Sequence, residues 1–244
     1  MLFYILYYGS MIILIPGIIF SIYAQIRIST TFKKYSRVQA SSNMTAAQLS
    51  RMLLDRNGLN YISVQQVSGS LTDNYNPQTE ILSLSESTYS SNSVAALAVA
   101  AHEVGHALQK RDDYKPMKLR SILVPVTNFG SRLALPIAII GLIIEWIATS
   151  NGGIQAGKMI VAIGILAYAL TSIFALITLP VELNASRRAG KILYDTGTLN
   201  QKETSQAKQV LHAAALTYVA SLLVSLLYLL RFILILSQFS RKKK

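Results

Sequence analysis

Residues 2–23 form an apolar run without a single charge. As a helix, such a run reaches about 33 Å, enough to cross a hydrocarbon core of about 30 Å. Three more apolar runs follow, over residues 133–149, 157–179 and 213–239. A backbone in lipid must satisfy its own polar groups, so runs of this kind fold as helices. The chain is therefore expected to be mainly α, a multi-spanning helical membrane protein. Its charged fraction agrees: 14% of 244 residues, against roughly 25% in soluble domains. The first run lacks the basic leader and small-residue cleavage site of a secretory signal, so it is expected to stay as an anchor, kinked at Pro16-Gly17. The second run is short and carries Pro136, and residues 119–129 extend it at the interface. The third is expected to close at Pro180, which cannot continue a helix without losing a hydrogen bond.

The charges that remain are mostly cationic, giving a net +12. Segments 27–120 and 181–210 hold sixteen Lys and Arg. Cationic loops are retained on the inner side of a membrane, which predicts a multi-pass protein of a bacterial cell membrane with both segments cytoplasmic. Four spans then leave Arg241 to Lys244 outside, against the same rule, unless the last run does not cross fully. Nucleic-acid binding is not expected, because no groove-reading motif or aromatic-basic platform accompanies the charge. The chain has no cysteine, which excludes disulfides and thiolate-bound metal. A transporter would want ionisable groups within its spans; only Arg231 and Glu145 come near that description.

Between the runs lies room for one small catalytic domain. The layout expected is an anchor over 1–26, a catalytic region over 27–118, a membrane hairpin over 119–180, a helical segment over 181–212, and an apolar helix with a basic tail over 213–244. Thr45 with Gln48 forms a capping box that opens a helix to about residue 57, stopped by Gly58. Residues 61–67 and 80–85 alternate as short strands, with a turn at residues 74–77 between them. Ser91-Asn92-Ser93 caps a helix running from Val94 to about Lys110. That helix is apolar all round, so it is expected to be buried in protein, and it is too short to span a bilayer.

The buried helix carries His102-Glu103-Val104-Gly105-His106. Side chains at i and i+4 share one helix face, so both imidazoles can bind one ion at about 2.0–2.1 Å, the Zn–N distance. Glu103 flanks that face and can act as general base. Histidines on an apolar helix are costly without a partner, and this motif holds two of the chain's three. Gly105 and the flanking alanines allow another backbone to pass close. A catalytic zinc site needs a third protein ligand. Glu182, His212 and the remaining carboxylates are the candidates, and Glu182 follows the third apolar run on an expected helix start.

The chain also contains Leu71-Thr-Asp-Asn-Tyr-Asn-Pro77, Ser93-Val-Ala-Ala-Leu-Ala-Val-Ala-Ala-His-Glu-Val-Gly-His-Ala107, Leu123-Val-Pro-Val-Thr-Asn-Phe-Gly130, Leu179-Pro-Val-Glu-Leu-Asn-Ala-Ser-Arg-Arg-Ala189 and Ala213-Ala-Ala-Leu-Thr-Tyr-Val-Ala220. With the N-terminal span, these segments resemble the YugP-like neutral zinc metallopeptidases, bacterial membrane proteins, over nearly the whole chain. The resemblance implies a Glu-zincin site in which His102, His106 and Glu182 bind Zn2+ and Glu103 is the base. The family pattern has Asp where this chain has Asn184, and His and Asp where it has Asn74 and Asn76. If residue 184 orients a ligand histidine, an amide there can still accept its hydrogen bond, holding the imidazole with less charge and weakening activity.

The expectation is thus a small α+β zincin-like metallopeptidase domain on a helical membrane protein. Its substrates are membrane-associated proteins or peptides, cleaved near the bilayer surface. An edge strand at Ile81, Leu82, Ser83 and Leu84 would pair with extended substrate by β-augmentation. Tyr218 or Tyr75 would donate to the developing oxyanion, and His212 would line the site. The alternative is a non-catalytic zinc-binding membrane scaffold. The intact Glu103 argues against it, because a structural site has no use for a base.

Overall fold

A computed structural model of the chain describes residues 9–125, 127, 140 and 155–241. The expected span at 133–149 lies outside them, as does most of 119–129. The chain is mainly helical with one small sheet. A 3-10 turn at Ser10–Leu14 leads into α1, Ile15–Tyr35. Then come α2 (Ala46–Arg56), β1 (Ser63–Val67), β2 (Asn74–Asn76), β3 (Ile81–Ser85), α3 (Glu86–Tyr89), α4 (Val94–Arg111), α5 (Gln155–Asp195) and α6 (Gln201–Arg241). Residues 115–125 are also helical. The chain divides into two compact units, one of residues 1–22, 119–178 and 219–244, the other of residues 23–118 and 179–218.

The first unit holds apolar helix. Among the described residues, three helical stretches are long and apolar enough to cross a membrane: Ser10–Tyr35, Ala169–Asp195 and Gln201–Leu234. Ile12, Ile18, Ile19 and Ile22 are exposed, as suits a face turned to lipid. Pro16 is the second residue of α1, just after the change from 3-10 to α geometry. Gly17 lets α6 approach: a β-carbon there would lie 2.8 Å from Leu227. Ser172 Oγ donates to the Ser225 carbonyl at 3.1 Å, joining α5 to α6 where water is scarce.

The second unit is built around α4. Ser93 Oγ accepts from the Ala96 N–H, and the helix is buried from Val94 to Gln109 except at Val99 and His102. On α2, Thr45 and Gln48 form the expected capping box, and Gly58 follows its end at a φ of 71°. Leu49, Leu53 and Leu54 of α2 pack with Leu82 and Leu84 of β3 and the alanine face of α4 in one core. At the start of α6, Asn200 Oδ1 accepts from the Glu203 N–H while the Glu203 carboxylate accepts from the Asn200 N–H. The same carboxylate accepts from the Ser41 N–H and hydroxyl, tying α6 to the loop before α2.

Three expectations are corrected. Pro180 does not close the third run: α5 continues through it from Gln155 to Asp195, so no new helix begins at 181. An interior proline costs about 3 kcal/mol. Beyond it Val181, Glu182, Ala185, Ala189 and Leu193 are all buried, and that packing outweighs the loss. Residues 74–76 are not a turn but strand β2, and the turn follows at residues 77–80. The sheet order is β1-β3-β2, with β1 parallel and β2 antiparallel to β3. Ile81 to Leu84 therefore lie in the central strand: Ile81, Leu82 and Ser83 are paired on both sides, and Leu84 is paired with β1. Ile81 to Ser83 offer no free edge to a substrate; within this sheet the edge strands are β1 and β2.

Candidate metal centre

Two helices bring the chemistry together. The capped, apolar α4 presents His102 and His106 one turn apart, with ring centroids 4.8 Å from each other at 87°. The packed half of α5 presents Glu182, which is 1% exposed. Gly105 makes the approach possible. A β-carbon there would stand 2.7 Å from the Ala185 carbonyl oxygen, closer than a β-carbon can come to a non-bonded oxygen. Gly105→Ala should therefore force α4 and α5 apart and destabilise the fold by about 1–3 kcal/mol, the usual cost of overpacking. Unfolding in detergent checks this; a variant as stable as its parent would show that the helices are not in such contact.

Glu182 Oε2 lies 3.1 Å from His102 Nε2 and 3.4 Å from His106 Nε2. The ligand atoms of all three residues fall within 4.8 Å of one another, so the group could hold a metal ion. Tetrahedral donors at about 2.0–2.1 Å from an ion stand about 3.3–3.4 Å apart, and these spacings fit. The other nitrogen of each imidazole is already occupied. His106 Nδ1 pairs with Gln109 Oε1 at 3.0 Å, and His102 Nδ1 pairs with Ser186 Oγ at 3.1 Å. Both Nε2 atoms are thereby turned toward Glu182, the outer support usual for metal-binding histidines.

Gln109 is fully buried and joins the helices. Its amide nitrogen donates to the Val181 carbonyl at 2.7 Å and to Asn184 Oδ1 at 3.0 Å. Asn184 thus meets the centre through Gln109 rather than by touching a histidine, and it also accepts from Arg188. Neither Gln109 nor Ser186 was picked out by sequence reasoning, because a lone polar residue on a helix carries no pattern.

Glu103 is buried beside the cluster. Burial pushes its carboxyl up to about 7; His102 opposes the rise, the Glu182 and Asp73 carboxylates add to it, and the Tyr75 backbone opposes it again. A cleft of about 180 Å³ opens here, lined by His102, Glu103, Val99, Asp73, Leu71 and Tyr218, among others. Val99 and His102, the two breaks in the burial of α4, both face it. Asp73 is held by Ser85, whose N–H and hydroxyl both donate to its carboxylate, and by Thr88. Of the two tyrosines expected near the site, Tyr218 lines the cleft. Tyr75 packs into the core, and its hydroxyl is pushed up to about 12 by burial, with Tyr61 and Glu80 adding to the rise. His212 is exposed, outside the three-residue group, and lines a different pocket.

The comparisons with known proteins agree with this chemistry. The profile of a family described as "Putative neutral zinc metallopeptidase" matches residues 10–237. A protein of Bacillus subtilis (strain 168) named "Putative membrane protease YugP" is 43% identical over 216 residues, covering 88% of this chain and 91% of the relative. No solved structure matches the chain.

Proposed function

Because this chain belongs to the neutral zinc metallopeptidase family, we propose that it is a membrane-embedded, zinc-dependent endopeptidase with a zincin-like catalytic region. The observation that carries this is the convergence of two imidazole Nε2 atoms on one buried carboxylate, with Glu103 beside them at a cleft. His102, His106 and Glu182 would hold the ion. Bound zinc supplies Lewis acidity, polarising a scissile carbonyl and making hydroxide available near neutral pH. Glu103 takes a proton from the attacking water as its oxygen bonds to the carbonyl carbon. It returns that proton to the nitrogen as the C–N bond breaks. Gln109 and Ser186 fix the imidazoles, and the Tyr218 hydroxyl donates to the carbonyl oxygen as charge gathers there.

The substrates are proteins or peptides already held in or on the bilayer of a bacterial cell membrane, and the catalytic region faces the cytoplasm. Glu182 follows the end of an apolar run at Leu179 by three residues of one helix, about 5 Å of rise. Confinement at a surface raises effective concentration as a tether does. The test uses the full chain in liposomes with one peptide, free and fused to a transmembrane helix. The tethered form should be cleaved faster, a zinc chelator should stop cleavage, and added zinc should restore it. Chelator-resistant cleavage would defeat the metal reading. Equal rates for both forms, wherever the scissile bond stands, would defeat the membrane-substrate reading.

A further inference from the structure

The second unit contains a pocket that the catalytic reading does not use. It lies between α5 and α6, has a volume of about 580 Å³, and its lining includes Arg187, Lys191, Lys208, His212 and Tyr194. No carboxylate lines it. Other cations of this unit are paired with carboxylates: Arg51 with Asp55, Lys110 with Glu80, Arg111 and Arg188 with Asp112, and Lys118 with Asp113. Among the described residues, Arg187, Lys191 and Lys208 have no such partner. Arg187 and Lys191 stand at i and i+4, where like charges repel. Lys208 of α6 lines the same pocket, its side chain lying over Gly190, 3.5 Å from where a β-carbon there would be. Three unmatched cations gathered over one cavity form a site for an anion that brings several acceptor oxygens.

We propose that this pocket binds a phosphate group, and that its occupant is the headgroup of an anionic phospholipid. A guanidinium fork and two ammonium groups suit phosphate oxygens. Leu183, Leu211 and Ala215 supply an apolar wall, which a free phosphate ion has no means to use and the upper acyl chain of a lipid does. The sequence places the pocket accordingly. Its α5 residues follow the apolar run ending at Leu179, and its α6 residues lead into the run that begins at Ala213. One wall residue, Ser186, also hydrogen-bonds His102 Nδ1 at 3.1 Å. The lipid pocket and the metal centre therefore share a side chain.

The test titrates the full chain, purified in detergent, with phosphatidylglycerol, phosphatidylcholine or inorganic phosphate, and counts bound molecules by native mass spectrometry. Phosphatidylglycerol should bind at least about tenfold more tightly than phosphatidylcholine, given the several-fold gain expected per basic residue. The double variant Arg187→Gln/Lys191→Gln should lose that preference, and Lys208→Gln should weaken it. Arg56→Gln/Lys115→Gln, a charge-matched control away from the pocket, should keep it. Circular dichroism melts verify that each variant is folded. If the double variant melts early, the wild-type preference and the Lys208→Gln result still decide. Equal affinity for the two lipids, or equal loss in the control, would overturn the proposal. Tight binding of inorganic phosphate without a lipid preference would overturn the lipid assignment and leave a small-anion site.

Discussion

Glu103→Gln should retain zinc and lose peptide hydrolysis by a factor of about 10² or more, the contribution of an essential acid-base group. The substitution keeps shape and hydrogen-bonding length and removes only the ability to take up a proton. It should not unfold the protein, because Glu103 is 8% exposed, and a neutral amide is cheaper to bury than a carboxylate. Elemental analysis should find wild-type zinc in the variant while cleavage of a tethered peptide falls. A variant that cleaves at the wild-type rate would remove Glu103 from the mechanism. A pH dependence follows with a definite sign. The base works deprotonated, so wild-type kcat/KM falls as pH drops through its pKa. Without an ion that pKa is about 7. A bound divalent cation favours the carboxylate and moves the acid limb lower.

Glu182→Ala should empty the metal centre, whereas His212→Ala should leave it filled. Glu182 is the point on which both Nε2 atoms converge, and it is almost wholly shielded from water. Removing it leaves two neutral imidazoles, and zinc held by two nitrogens is held weakly. The fall in affinity should exceed the about 10–100-fold typical of losing an outer support. His212 lies on the exposed face of α6, in the pocket with Arg187 and Lys208. Its removal should change zinc content by no more than measurement error. Zinc counted per chain after dialysis separates the cases. Equal retention in the two variants would mean that another residue completes the centre.

The metal helix was legible in the sequence because its signals are local. A serine cap, an apolar face on every side and two histidines four apart all lie within about twenty residues, and the structure keeps each of them. Glu182 was one candidate among several on chemical grounds, and the family resemblance singled it out. What the residues alone lacked was the fact that α5 continues through Pro180 and packs Glu182 against α4. A proline is a strong local signal, but a row of buried residues beyond it decides otherwise. The sheet was harder. Strands of five, three and five residues carry too few alternations to fix pairing. Order and direction come from packing against α2 and α4, so the central position of β3 was hidden. Gln109 and Ser186 were invisible for a related reason: each acquires meaning only from a neighbour on the other helix.

The donors of the metal centre are divided between helices, two on α4 and one on α5, with 80 residues between His102 and Glu182. A ribosome makes about 5–20 residues per second, so the chain grows for roughly 4–16 s with its histidine pair already made and its carboxylate not yet in existence. During that interval a growing chain has two of the three donors. The third donor then arrives on a helix that must first lie down against Gly105. Order of synthesis thus sets order of assembly: the three donors cannot meet until the helix carrying Glu182 has been made and has packed.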